Sequence, residues 1–98
     1  MRPSERLRQH RAEVLEIMRR YPMFANLRVF GSVARGEDTE DSDIDFVVDR
    51  FPGTTLFDLG GLYDEFERLL GISVHITMTS QNMKESLKMV IDRDAVSV

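Results

Sequence analysis

The stretch that most constrains this chain is Asp43-Ile44-Asp45-Phe46-Val47-Val48-Asp49. Large apolar side chains alternate with carboxylates, a period of two that suits an extended strand. As a strand it sends Ile44, Phe46 and Val48 to one face and Asp43, Asp45 and Val47 to the other. One face must then be buried under other elements while the other displays two aspartates.

The flanking sequence supplies those elements. Ser4 is placed to cap a first helix reaching about Tyr21, with Leu7, Val14, Leu15, Met18 and Tyr21 near helical spacing and Pro22 ending it. Leu27 to Phe30 reads as a strand, and Ser32 to Arg35 as one helical turn stopped by Gly36. Thr54 or Thr55 caps a helix whose apolar side holds Leu56, Leu59, Leu62, Tyr63, Phe66, Leu69 and Leu70. Gly60-Gly61 inside it marks a kink or a close packing contact, and Gly71 ends it. Ile72 to Met78 is a third strand, Ser80 caps a last helix to about Arg93, and Ala95 to Val98 adds a short edge strand. Helices alternating with strands predict an α/β (α+β) fold, a small sheet covered by helices on at least one face, in one domain over residues 1–98. Met78, Met83 and Met89 read as core or interface filler.

Charge narrows the function. The formal net charge is -4, which disfavours non-specific nucleic-acid binding. Residues 37–49 carry seven acidic groups and no basic one, either a solvated loop or a cation site. With no cysteine, disulfides and thiolate metal sites are excluded. No apolar run approaches the roughly 20 residues that span a bilayer, and the first residues lack the apolar core of a secretory signal. The expected location is cytoplasmic.

Inside the acidic stretch the spacing is specific. Gly31-Ser32 is followed by ten residues and then Asp43-Ile44-Asp45. A glycine after a strand permits a sharp turn and close approach of a phosphate. The following helical turn offers free N–H groups to an anion, Ser32 adds a hydroxyl, and Arg35 brings a planar fork suited to phosphate oxygens. Asp43 and Asp45, two apart on a strand, aim to one side, as hard divalent cations require. An anion cradle facing a cation site is the minimum needed to move a nucleotide from a triphosphate to a hydroxyl.

Competing motifs fail on particular residues. Asp41-x-Asp43-x-Asp45 copies the start of an EF-hand loop, but its sixth and twelfth positions are Phe46 and Pro52. A Walker phosphate loop needs a lysine, and none precedes Lys84. A dinucleotide fingerprint needs three clustered glycines, where Gly31 and Gly36 are the two available. Nothing in the sequence links His10 or His75 to Ser32 as a nucleophile's base.

Gly31-Ser-Val-Ala-Arg-Gly36 followed by Ser42-Asp-Ile-Asp-Phe-Val-Val-Asp49 resembles the minimal nucleotidyltransferase (MNT) family of the DNA polymerase beta-like nucleotidyltransferase superfamily. The likeness runs from Leu27 to the final Ala95-Val96. It implies a small mixed sheet of three to four strands and metal-dependent nucleotide transfer, with magnesium or manganese at Asp43 and Asp45 and ATP or another triphosphate at Gly31, Ser32 and Arg35. It further implies a HEPN-domain toxin as partner, an antitoxin role, and attachment of AMP to a hydroxyl of that toxin.

One position departs from the family pattern. Where a third carboxylate is expected in the strand after Leu70-Gly71, this chain has His75. His75 is then a ligand or base, or the site holds one metal and binds nucleotide with little turnover, or His75 is a packed strand residue and the domain is a binding module.

Overall fold

The computed structural model describes residues 1–79 and 83–98. Its elements run α1 (Pro3–Gln9), α2 (Arg11–Arg19), β1 (Phe24–Phe30), α3 (Gly31–Arg35), β2 (Ile44–Arg50), α4 (Leu56–Leu70), β3 (Val74–Thr79), α5 (Glu85–Asp94) and β4 (Val96–Ser97). The four strands form one mixed sheet in the order β3-β2-β1-β4. β2 pairs antiparallel with β1 and parallel with β3, and β4 lies antiparallel on the other edge of β1.

The alternation in β2 does what its sequence demands. Ile44, Phe46 and Val48 have no solvent exposure. They share one core cluster with Val14 and Ile17 of α2 and Leu62, Phe66 and Leu70 of α4. The Phe46 and Phe66 rings lie 4.8 Å apart, inclined by 38°. Each such side chain contributes roughly 1.5–3 kcal/mol on leaving water, and this layer fixes α4 across the sheet. Thr55 begins α4 in a capping box: its hydroxyl accepts from the Asp58 amide at 3.2 Å, while Asp58 accepts from the Thr55 amide at 2.9 Å. Gly71, at φ 69°, ends it in the left-handed region.

Several expectations need correction. The first helix is two helices that meet at His10 (φ -105°, ψ 16°), and the second ends at Arg19. Arg2, not Ser4, is the residue before α1. β1 begins at Phe24, because a bulge between Ala25 and Arg28 carries the strand past Asn26, which takes φ 56°; asparagine tolerates that region better than most residues. Leu56 is 79 % exposed, off the core stripe assigned to it. Val47, grouped with the aspartates, is nonetheless buried. Met89 is exposed, whereas Met78 packs against the core. The cap assigned to Ser80 lies outside the described residues, and α5 starts at Glu85. Among the described residues no helix is long and apolar enough to cross a membrane.

Candidate active site

Opposite the core, the sheet sets three residues side by side. Phe30 of β1 pairs with Asp45 of β2, and Asp45 pairs with His75 of β3. Partners in register on adjacent strands stand about 5 Å apart with side chains on one face. Gly31 follows Phe30 and turns the chain into α3 at φ 70°. A Cβ on Gly31 would lie 2.6 Å from Asp45 Oδ2. Glycine is therefore required twice, for its backbone angle and because the Asp45 carboxylate fills the space.

Asp45 is half-buried and Asp43, just before β2, is exposed. Ser32 follows Gly31 and is also half-buried. Arg35 is exposed, and its Nε donates to Glu37 Oε2 at 3.2 Å. The fold thus gathers Gly31, Asp45 and His75, sets Ser32 and Asp43 next to them in the chain, and holds Arg35 on Glu37. Among the described residues no three histidine, aspartate or glutamate side chains form a group able to hold a metal. Two hard oxygen donors two residues apart still fit magnesium, which commonly uses one or two carboxylates together with substrate phosphates.

Two helix side chains set the position of His75. The amide of Val74 donates to Glu67 Oε2 at 3.2 Å, and that of Ile76 to Tyr63 Oη at 2.8 Å. The outer edge of β3, which would otherwise present unpaired groups, is thereby tied to α4 on both sides of His75. The imidazole itself is exposed.

The acidic loop is not uniformly solvated. Asp38 is only 4 % exposed, and its Oδ2 accepts the Ser4 amide of α1 at 2.9 Å. The N-terminal ammonium reaches Glu40 Oε1 at 3.3 Å. Burial pushes the Asp38 carboxyl up, but hydrogen bonds from Ser4 outweigh it and hold the group below the ordinary carboxylate value. Ser42 Oγ accepts the Thr39 amide at 2.9 Å, tightening the loop just ahead of Asp43.

A second polar cluster escaped the sequence reading, in which Asp49 figures only as the last residue of the alternating strand. Asp49 accepts from Arg28 Nη2 at 2.5 Å, Thr79 Oγ1 at 2.6 Å and Asn26 Nδ2 at 3.2 Å. Burial raises its carboxyl, and these partners more than reverse the effect. The available signal was Arg28, a single cation inside the run Leu27-Arg28-Val29-Phe30: in a strand it needs a partner on its own face.

Known proteins agree with this geometry. The nucleotidyltransferase domain family matches residues 11–96. A candidate protein adenylyltransferase of Methanocaldococcus jannaschii is 32% identical, with 97% of this chain and 93% of that protein aligned. The protein adenylyltransferase MntA of Thermococcus cleftensis is 39% identical over 71% of this chain and 70% of its own length. The solved structure of a candidate minimal nucleotidyltransferase superposes with a TM-score of 0.82 at 39% identity, covering 97% of this chain and 95% of the other. With the Gly31 turn against Asp45 in a β3-β2-β1-β4 sheet, these matches establish that the chain belongs to the nucleotidyltransferase domain family, among the minimal nucleotidyltransferases.

Proposed function

We propose that this chain transfers AMP from ATP to a hydroxyl on a partner protein, a HEPN-type toxin, and thereby acts as its antitoxin. The observation that carries the reading is the Asp45 carboxylate lying against the Gly31 turn, which sets a hard oxygen donor beside the backbone that starts α3. The relatives named protein adenylyltransferases support AMP as the group moved and a protein as its acceptor.

Each residue then has a task. Gly31 lets the backbone approach the phosphates, Ser32 donates its hydroxyl, and Arg35 exchanges Glu37 for a phosphate oxygen. Asp43 and Asp45 would hold magnesium or manganese, which supplies charge neutralisation to the phosphates and the departing pyrophosphate. The acceptor oxygen attacks the α-phosphorus. A new O–P bond forms, the α–β anhydride bond breaks, and pyrophosphate leaves. The hydroxyl proton passes to the imidazole of His75, next to Asp45, and from there to water.

A second reading is a binding module that keeps the fold without turnover. It is favoured by the imidazole of His75 in the register position beside Asp45, where the family resemblance implies a carboxylate. Purified protein, α-labelled ATP, magnesium or manganese and the toxin separate the two. Label on the toxin with wild type, lost in Asp43→Ala/Asp45→Ala, supports the transferase. Label from His75→Asp alone supports the binding module. No dependence on either aspartate sinks both metal-based assignments.

A further inference from the structure

The face that carries Asp45 continues into a second site. Asp45, Val47 and Asp49 of β2 share this face with His75, Thr77 and Thr79 of β3 through their register. Asp49 lies four residues beyond Asp45, about 13 Å at the rise of a strand. There α5 closes one side of an open cleft of about 300 Å³. Its charged walls are Arg28, Arg50 and Lys88 against Asp49 and Asp92. Three cations against two carboxylates leave a positive excess, in a chain whose net charge is -4.

Arg28 is the built part of this site. It is 9 % exposed, and its side chain is fixed by Nε donating to Asn26 O at 3.1 Å and Nη2 to Asp49 at 2.5 Å. Among the described residues its Nη1 donates no hydrogen bond, and Asp92 stands 3.9 Å from it, beyond hydrogen-bond length. Asp49, already accepting three donors, holds the guanidinium without consuming that last nitrogen. A guanidinium fixed in this way, with one N–H side unfilled among the described residues and two exposed cations beside it, suits a carboxylate.

We propose that this cleft binds an acidic side chain of the acceptor polypeptide, about four residues from the modified hydroxyl in an extended segment. The ligand's identity rests on the adenylyl-transfer reading. The nucleoside of ATP fits less well, because it carries no anion and its phosphates belong beside Gly31 and Asp45. A polynucleotide fits less well, because one excess positive charge is too few for a row of phosphates.

The test uses the full chain and short unstructured peptides. Each peptide has one tyrosine and, about four residues away, a glutamate, glutamine or lysine. Binding is followed by fluorescence anisotropy and transfer by label from ATP. Wild type should bind and label the glutamate peptide about tenfold better than the glutamine peptide, the size of one charge-assisted hydrogen bond. Lys88→Glu and Arg50→Glu, both at exposed positions, should erase that preference and favour the lysine peptide. Equal handling of all three peptides, absence of peptide binding, or a preference untouched by charge reversal overturns the cleft assignment. A short single-stranded RNA that displaces the glutamate peptide and loses affinity in Lys88→Glu also overturns it, in favour of RNA. Glutamate-selective binding without label keeps the cleft and sinks the transferase reading, so the two failures are distinct.

Discussion

Asp45 Oδ2 stands 2.6 Å from the point a Cβ on Gly31 would occupy. Gly31→Ala must therefore move the carboxylate or the turn, at a residue whose φ of 70° already disfavours a side chain. The left-handed angle costs about 1–2 kcal/mol, a fall in melting temperature of roughly 4–8 °C per kcal/mol for a domain this size. Transfer should fall further, by about 100-fold, since displacing a reacting group by about 1 Å costs that much. Thermal melts beside label-transfer rates check this. A variant that melts lower and transfers normally would show that the contact only serves folding.

Asp43→Asn and Asp45→Asn should separate stability from function. Asp43 is exposed and Asp45 half-buried, both away from the apolar core. Each replacement should leave stability within about 0.5 kcal/mol. Loss of a cation's hard oxygen ligand should lower transfer by about 100-fold or more. Urea unfolding and rates measured at saturating magnesium give the two readouts. Wild-type rates in both variants would remove these residues from the site.

The N-terminal helix is tied to the loop ahead of Asp43 by the Ser4–Asp38 hydrogen bond. Asp38→Ala should cost about 1–2 kcal/mol, as loss of a helix-capping carboxylate does, and should raise the magnesium needed for half-maximal transfer. The pH dependence has a definite sign. Asp38 and Asp49 both titrate below their ordinary value of 3.8 in the folded chain. Their contribution to stability is present above that value and is lost as the pH falls through the lowered folded values. Melting curves between neutrality and acid should show stability falling below about pH 4, less steeply in Asp38→Ala. An identical acid profile in the variant would mean that the latch contributes nothing.

What the sequence discloses depends on whether a feature is local. The strict alternation of Ile44, Phe46 and Val48 specifies β2 and its buried face without outside information, and Gly36 and Gly71 mark helix ends by their own conformational freedom. The break at His10 is not local. Leu7 and Val14 continue one apolar stripe across it, and no glycine or proline marks it. It becomes intelligible only when α1 is seen anchored to Asp38, 34 residues from Ser4. The start of β1 was hidden by Asn26, whose turn character signals a loop but here makes a bulge. Of the candidate site, the residues were legible and their separations were not: nothing in the spacing of Gly31 and Asp45 predicts contact between one's backbone and the other's carboxylate. The partnership of Arg28 and Asp49, 21 residues apart on paired strands, likewise follows from register alone.

The adjacent glycines of α4 should respond in opposite directions to the same substitution. A Cβ on Gly60 meets nothing within 4 Å, whereas one on Gly61 would lie 2.7 Å from the hydroxyl of Tyr21. That hydroxyl hydrogen-bonds Glu65, which raises its pKa. Gly60→Ala should stabilise the chain by about 0.5–1 kcal/mol, the helical advantage of alanine over glycine. Gly61→Ala has the same backbone advantage but must displace Tyr21 and break its bond to Glu65, at a cost of about 1 kcal/mol or more. It should be neutral or destabilising, and the tyrosine's spectroscopic titration should move back towards its ordinary value. The double variant Gly61→Ala/Tyr21→Phe removes the hydroxyl that clashes and should recover part of the helical gain. Urea midpoints for the four proteins decide the matter. Equal stabilisation by both single substitutions would mean that Tyr21 does not pack on Gly61 in solution.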